Sequence, residues 1–234
     1  MSNQNNYRHE FKYQCSDAQL QIIKHRLDSV LKLDKHASQG GYCIRSMYFD
    51  SLDLRCFNEN ERGTDPREKY RIRIYNASSD RISLECKRKE RGKTYKTSCL
   101  ITKEQFDDII NRRFSVNINE QHPVFRKFYY LLRVEHFTPS VIVEYDRVPY
   151  VCPLGNVRIT LDKNIRSSDC FDRFFSPSLP SRPIMMAGQQ LLEVKYDEFI
   201  PDYIKELIQT DNLSQSTFSK YYLCKKYSLR GLLL

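Results

Sequence analysis

Long apolar runs are missing from the 234-residue chain: stretches such as Phe128 to Leu132 and Leu232 to Leu234 fall far short of the roughly 18 consecutive apolar residues that a spanning helix needs. No membrane segment is expected. A secretory leader is missing too, since Met1-Ser2-Asn3-Gln4-Asn5-Asn6 has no basic start followed by an apolar stretch, and the expected location is the cytoplasm. Glycine and proline are scarce, at 7 and 9, which excludes collagenous and low-complexity classes. Close cysteine pairs are absent, the eight standing at 15, 43, 56, 86, 99, 152, 170 and 224. That spacing provides neither the disulfide framework of a small secreted domain nor the paired ligands of a structural zinc site. The five histidines, at 9, 25, 36, 122 and 136, do not cluster either. No repeat and no interdomain linker is visible, so residues 1–234 read as a single domain.

Positive charge is what the chain has in excess, with 38 Lys+Arg against 29 Asp+Glu and a formal charge of +9. Such a surplus implies a polyanionic partner: nucleic acid, an anionic membrane surface or a phosphorylated small molecule. Placement decides among them. Residues 7–14 alternate, with Tyr7, His9, Phe11 and Tyr13 on one face and Arg8, Glu10 and Lys12 on the other, the period of a strand. The same alternation recurs in 67–75, 81–89, 93–100, 140–148, 156–163 and 190–197. Residues 42–50 also read as a strand, but both faces carry large side chains and Arg45 cannot be phased. Capping boxes at Ser16–Gln19 and Thr102–Gln105 predict helix starts. Further helices are expected from Pro123 to about Arg133, after Pro201, and from Ser216 onward, with 173–188 as the one long irregular stretch.

An antiparallel sheet with one solvated face also alternates, but a solvated face mixes both signs of charge. Among the cations of these polar faces, ten count toward a lining: Arg8, Lys12, Arg71, Arg73, Lys87, Lys89, Lys96, Arg147, Arg158 and Lys195. The matching carboxylates are four: Glu10, Glu85, Asp162 and Glu193. That imbalance describes a lining for a polyanion. The pattern predicts an α+β fold, a closed antiparallel β-barrel of about eight strands around a basic tunnel, flanked by amphipathic helices. Inside it, Arg and Lys would hold phosphate oxygens more strongly than on an open surface. Nucleic acid is not expected, because the aromatic residues alternate to the apolar face instead of lying beside the cations, and no recognition motif is present.

The succession Glu10-x-Lys12, Arg71-x-Arg73 in KYRIRIY, Glu85-x-Lys87 in LECKRKE, Tyr145-x-Arg147 in VEYDR, Arg158 in VRITLDK, Glu193-x-Lys195 in LLEVKY and Ser219-Lys220 in FSKYY resembles the polyphosphate polymerase (VTC) domain. That domain belongs to the CYTH-like triphosphate tunnel metalloenzymes, and the resemblance runs from about Tyr7 to Tyr227. It implies a divalent metal, Mn²⁺ or Mg²⁺, and transfer of the terminal phosphoryl group of a nucleoside triphosphate such as ATP onto polyphosphate. It also implies roles: Lys12, Arg71, Arg73, Lys87, Arg147 and Arg158 as the catalytic phosphate-binding set, Lys96, Tyr145, Ser219 and Lys220 as further substrate contacts, and Glu193 as metal ligand. One departure is Arg8, which stands where the wider superfamily's Glu-x-Glu-x-Lys begins; it fits the polymerase branch better than a hydrolase with several metal-binding carboxylates. The membrane-spanning regions of eukaryotic members are missing, so a membrane partner would be a separate polypeptide.

Alternatives stay open at this level. Arg71 with Arg73 could be a charged sheet edge, Glu193 with Lys195 a plain ion pair, and Tyr145 a packing residue. A triphosphatase on the same fold, or a module that binds polyphosphate without turnover, would use nearly the same cations.

Overall fold

Strand alternation and the two capping boxes both carry through into the computed structural model, which describes residues 7–37, 40–113, 117–118 and 121–231. Met1–Asn6 and Leu232–Leu234 lie outside the described residues. In chain order the elements are β1 (His9–Ser16), α1 (Asp17–Val30), β2 (Lys32–Leu33), β3 (Tyr42–Asp50), α2 (Arg55–Glu61), β4 (Arg67–Tyr75), β5 (Ile82–Glu90) and β6 (Lys93–Ile101). They continue with α3 (Lys103–Ile110), α4 (Pro123–Arg133), β7 (Thr138–Cys152), β8 (Val157–Ser168), β9 (Arg182–Pro183), β10 (Gln189–Tyr196), α5 (Asp202–Ile208) and α6 (Lys220–Gly231). None of the helices is long and apolar enough to cross a membrane, among the described residues.

Eight strands form one antiparallel sheet in the order β1-β10-β8-β7-β3-β4-β5-β6, with β2 added on β7 and β9 on β8. The sheet curls into a half-barrel; the continuous closure expected from the sequence is not made. Its end strands β1 and β6 meet through a single bridge, Arg8 to Thr94, with N···O distances of 2.9 and 3.0 Å. The cause is stagger. β6 starts at Lys93, just past the β5–β6 turn, so with Arg8 opposite Thr94 the part of β1 beyond His9 has no β6 residue opposite it. That stretch of edge is taken instead by 215–216, through a Tyr13–Gln215 bridge and a 2.7 Å bond from Ser216 N to the Lys12 carbonyl. The same pairing keeps the chain extended after Ser216 and delays α6 to Lys220.

Apolar residues of the outer sheet face form the core with the helices. One cluster sits under α4, where Phe128 packs edge-on to Phe49 at 4.9 Å and stacks on Tyr70 at 5.7 Å. Truncating such a fully buried ring costs about 3–5 kcal/mol. The other lies under α1, whose Leu20, Ile23 and Leu27 meet Ile159, Leu161 and Leu192. The capping boxes start α1 and α3 as their sequences require: Ser16 Oγ accepts from Gln19 N at 3.2 Å, and Thr102 Oγ1 from Gln105 N at 3.1 Å. No local box announces α2. Its first amides are held by the buried Asp50 carboxylate, which accepts from Cys56 N at 2.8 Å and Phe57 N at 3.1 Å.

The structure also phases Arg45. It lies on the outer face, buried, opposite Glu144, to which its Nε donates at 2.6 Å, and its Nη1 donates to the carbonyls of Phe174 and Ser176 at 2.7 Å. It therefore ties down the irregular stretch after β8 and does not face the tunnel.

Candidate functional site

Because side chains two apart on a strand share a face, the strand registers bring the polar residues to one concave surface. Arg71 stands opposite Glu85, Lys69 opposite Lys87, Lys87 opposite Lys96, Arg147 opposite Asp162, and Lys12 opposite Glu193. Each of the four carboxylates on this face is clamped by cations. Glu85 lies 2.6 Å from Arg71, 3.0 Å from Lys96 and 3.8 Å from Arg73. Glu10 is 2.7 Å from Lys87, 2.9 Å from Lys12 and 3.7 Å from Lys195. Glu193 is 2.7 Å from Lys195, 3.6 Å from Arg147 and 3.8 Å from Lys12. Asp162 takes a two-pronged bond from Arg147, 2.7 Å on each oxygen, and a 2.6 Å contact from Lys220.

The remaining site residues complete the lining. Tyr145 is buried, its hydroxyl accepting from Arg73 at 3.4 Å and its ring 5.2 Å from the Arg147 guanidinium and 4.7 Å from the Lys220 ammonium. The start of α6 closes over this end of the lumen. Lys12 donates to the Phe218 carbonyl at 2.9 Å, and Ser219 Oγ accepts from Lys69 at 3.0 Å. Arg158 sits apart, near β2, donating to Tyr42 Oη at 3.0 Å and lying 3.3 Å from Asp34. Of the ten cations counted on polar strand faces, Arg8 is diverted to Asp197 at 2.7 Å and to the Asn156 carbonyl. Sequence reasoning passed over Lys69 as a site residue, although its place in the alternation of 67–75 could have found it. Lys220, expected as a substrate contact, lies 2.6 Å from Asp162.

The electrostatics follow from crowding. Burial alone would raise the Glu85 carboxyl, but Arg73, Arg71 and Lys96 outweigh it and hold the pKa well below the usual carboxylate range. Glu10 and Glu193 are lowered in the same way, Glu10 by Lys12, Lys87 and Lys195, and Glu193 by Lys195, Lys220 and Lys12. Lys87 and Lys69 bear the opposite consequence, while Glu10 and Glu193 raise Lys12 against its burial. Burial pushes Lys87 down to about 7 and is reinforced by Lys12 and Lys195, with Glu10 offsetting part of it. Burial, with Lys87 and Lys12 beside it, takes Lys69 well below its ordinary value. Arg147, Arg73 and Lys220 lower the Tyr145 phenol against the effect of its burial. Cation capacity thus exceeds what the carboxylates neutralise.

Among the described residues, the buried atoms of β8 and β10 that lack hydrogen-bond partners include Arg158 Nε, Thr160 Oγ1 and Glu193 Oε1. Thr160 and Glu193 are directly opposed across β8 and β10. Lys195 lies 2.7 Å from that Glu193 oxygen without hydrogen-bond geometry. No cluster of three or more His, Cys, Asp or Glu that could hold a metal occurs among the described residues. The protein oxygens that share cations here, Glu10 and Glu193, are hard donors of the kind that hold Mg²⁺ or Mn²⁺ when substrate phosphates supply the remaining ligands. On that chemistry the residues fit a metal completed by its substrate.

Comparison with known proteins adds a family and a fold. The VTC domain model matches residues 7–228. A candidate adenylyl cyclase from Hippeastrum with a dominant triphosphatase activity superposes with a TM-score of 0.57 at 14% identity, over 94% of this chain and 96% of that one. A candidate adenylate cyclase from Vibrio parahaemolyticus gives 0.54 at 10% identity, over 94% and 98%. One from Bacillus halodurans gives 0.53 at 12%, over 91% and 95%. At these identities the likeness is one of fold. No curated protein sequence matches the chain.

Proposed function

The chain belongs to the VTC domain family, and from that premise we propose that it is a metal-dependent polyphosphate polymerase that moves the terminal phosphoryl group of a nucleoside triphosphate, ATP in this reading, onto a polyphosphate chain. The observation that carries the proposal is the lining itself: every inner carboxylate already shares two or more cations, and Lys69, Lys87 and Lys96 remain under-neutralised. Phosphoryl transfer requires positioning and charge stabilisation more than covalent chemistry. The terminal oxygen of an acceptor chain is already anionic and attacks without a general base. The new P–O bond forms as the bond to the bridging oxygen breaks, and that oxygen leaves with the nucleoside diphosphate.

In this reading Arg71, Arg73 and Lys96 hold phosphate oxygens and yield Glu85 to do so, Lys12, Lys87 and Arg147 surround the reacting group, and Arg158 binds phosphate from its separate place near β2. Tyr145, Ser219 and Lys220 position it from the end covered by α6. Glu193, with Glu10 beside the same lysines, would hold Mn²⁺ or Mg²⁺, which when bound neutralises phosphate oxygens as a Lewis acid. We place the activity in the cytoplasm, with nucleotide and polyphosphate as partners and no nucleic acid.

One observation favours hydrolysis as a second reading. The Hippeastrum protein, similar in fold, has a dominant triphosphatase activity. Incubation with ATP and Mn²⁺, with products sized on a gel, separates the readings. Polymerase activity makes ADP and a polyphosphate ladder with little early free phosphate. Stoichiometric phosphate without a ladder supports the triphosphatase, and tight polyphosphate binding without nucleotide consumption leaves a binding module.

A further inference from the structure

Three cations on the inner side of the β4–β5 ladder have no place in the reacting set: Arg67, Lys69 and Lys89. They are registered with it, Lys69 opposite Lys87 and Arg67 opposite Lys89. None of the three is in an ion pair among the described residues. Lys69 is met by neutral groups, Ser219 Oγ at 3.0 Å and Asn60 Oδ1, with the Tyr221 ring 5.3 Å away. Arg67 donates to the Thr64 carbonyl at 2.7 Å. Lys89 is exposed, and burial, Arg67 and Lys12 lower its pKa against Glu10 and Asp65.

These residues also lie on a gradient. Side-chain exposure rises from 16% at Lys12 to 28% at Lys87, and Lys89, Arg91 and Lys93 are exposed. The row runs along β5 from Lys87 to Lys89, about 7 Å, and continues into the β5–β6 turn at Arg91 and beyond it at Lys93, past the reach of the reacting set. Cations two residues apart along a strand and directly opposed across a ladder repeat at intervals of about 5–7 Å, which suits a flexible linear polyanion. Cations crowded together without carboxylates repel one another, and an anion chain relieves that repulsion wherever it lies along the row.

We propose that Arg67, Lys69 and Lys89 form a separate subsite that holds the distal part of a linear polyphosphate between the reacting centre and solvent at the β5–β6 turn. The proposal rests on the phosphate-chain reading of the inner face and goes beyond it by setting a preference for chain length. Lys69 binds the chain nearer the centre, beside Lys87, and Lys89 with Arg67 binds it nearer the exit. Holding the chain there keeps a product bound between additions, so product length follows from these residues.

The test compares dissociation constants for tripolyphosphate and for a chain of about 100 phosphates, at one ionic strength near 0.15 M to fix screening, for the wild type and for Lys69→Gln with Lys89→Gln. The ratio of long-chain to tripolyphosphate dissociation constants should rise at least tenfold in the variant. A charge-matched variant on the outer surface, Lys32→Gln with Arg126→Gln, controls for net charge and should leave the ratio within twofold of wild type. An unchanged ratio in the inner variant, or an equal rise in the outer one, overturns the subsite. Because the readout is binding, its failure is distinct from that of the polymerase reading. A wild type that forms no ladder but shows the ratio shift keeps the subsite and loses the polymerase, whereas a ladder without the shift removes only the subsite.

Discussion

The two walls of the half-barrel use the same cations to different ends. On β3 to β6, Lys69, Arg71, Arg73, Lys87, Lys89 and Lys96 share the face with one inner carboxylate, Glu85. On β7, β8, β10 and β1, Lys12, Arg147, Arg158 and Lys195 share the face with Asp162, Glu193 and Glu10. The first wall is short of anions and is completed by a ligand that brings them. The second is close to neutral by itself, its Arg147 already locked on Asp162, and its oxygens can receive a cation. Binding energy and metal chemistry are thus separated across a single lumen, which is how one site can attract a polyanion and still hold a divalent ion.

Removing charge from the first wall should have the largest effect. Arg71→Ala with Arg73→Ala deletes two guanidinium partners worth about 1.5–3 kcal/mol each, so nucleotide affinity should fall by roughly 100-fold or more in isothermal titration with a non-hydrolysable nucleotide. Adding Glu85→Gln removes the carboxylate those arginines neutralise and keeps the fold comparable. Unchanged affinity would put that face outside the site. On the second wall, Glu193→Gln should lower Mn²⁺-dependent turnover by about 100-fold while metal-free polyphosphate binds as tightly as before or more tightly, since a negative charge has left a basic lining. Turnover near the wild-type rate would return Glu193 to a plain ion pair with Lys195.

A smaller effect links the walls through Lys87, which reaches from β5 to Glu10 on β1 at 2.7 Å. Its free-state pKa is pushed down to about 7, and a bound polyanion raises it. Binding therefore takes up a proton, with full affinity below pH 7 and a loss of up to about tenfold per pH unit above it until the bound-state pKa is passed. Calorimetry at pH 8 in two buffers of different ionisation enthalpy should detect the uptake, and Lys87→Arg should abolish it. Equal heats in both buffers for the wild type would mean Lys87 is already charged.

Much of this asymmetry was legible in the sequence, because strand periodicity assigns side chains to faces without knowing the fold. Residues 67–75, 42–50 and 123–133 form the elements their patterns predict, and Lys12, Arg71, Arg73, Lys87, Arg147 and Glu193 do converge. What was not legible depends on distant contacts. The Asp50 carboxylate that starts α2, the capture of Arg8 by Asp197, the anchoring of 174–176 by Arg45 and the stagger that leaves β1 and β6 nearly unpaired all arise between segments. Local pattern carries no signal for such pairings. Lys69 was legible and overlooked: it opens the KYRIRIY stretch, but its partners Ser219 and Asn60 come from other elements.

The division of labour between the walls is tested most directly by a crystal structure of the protein with tripolyphosphate and Mn²⁺, using anomalous scattering to find the metal. The account predicts phosphate oxygens against Arg71 and Arg73, with Glu85 displaced from them, and a manganese peak in direct contact with Glu193. Manganese bound away from Glu193, or phosphate lying outside the Arg71–Arg73 face, would contradict it.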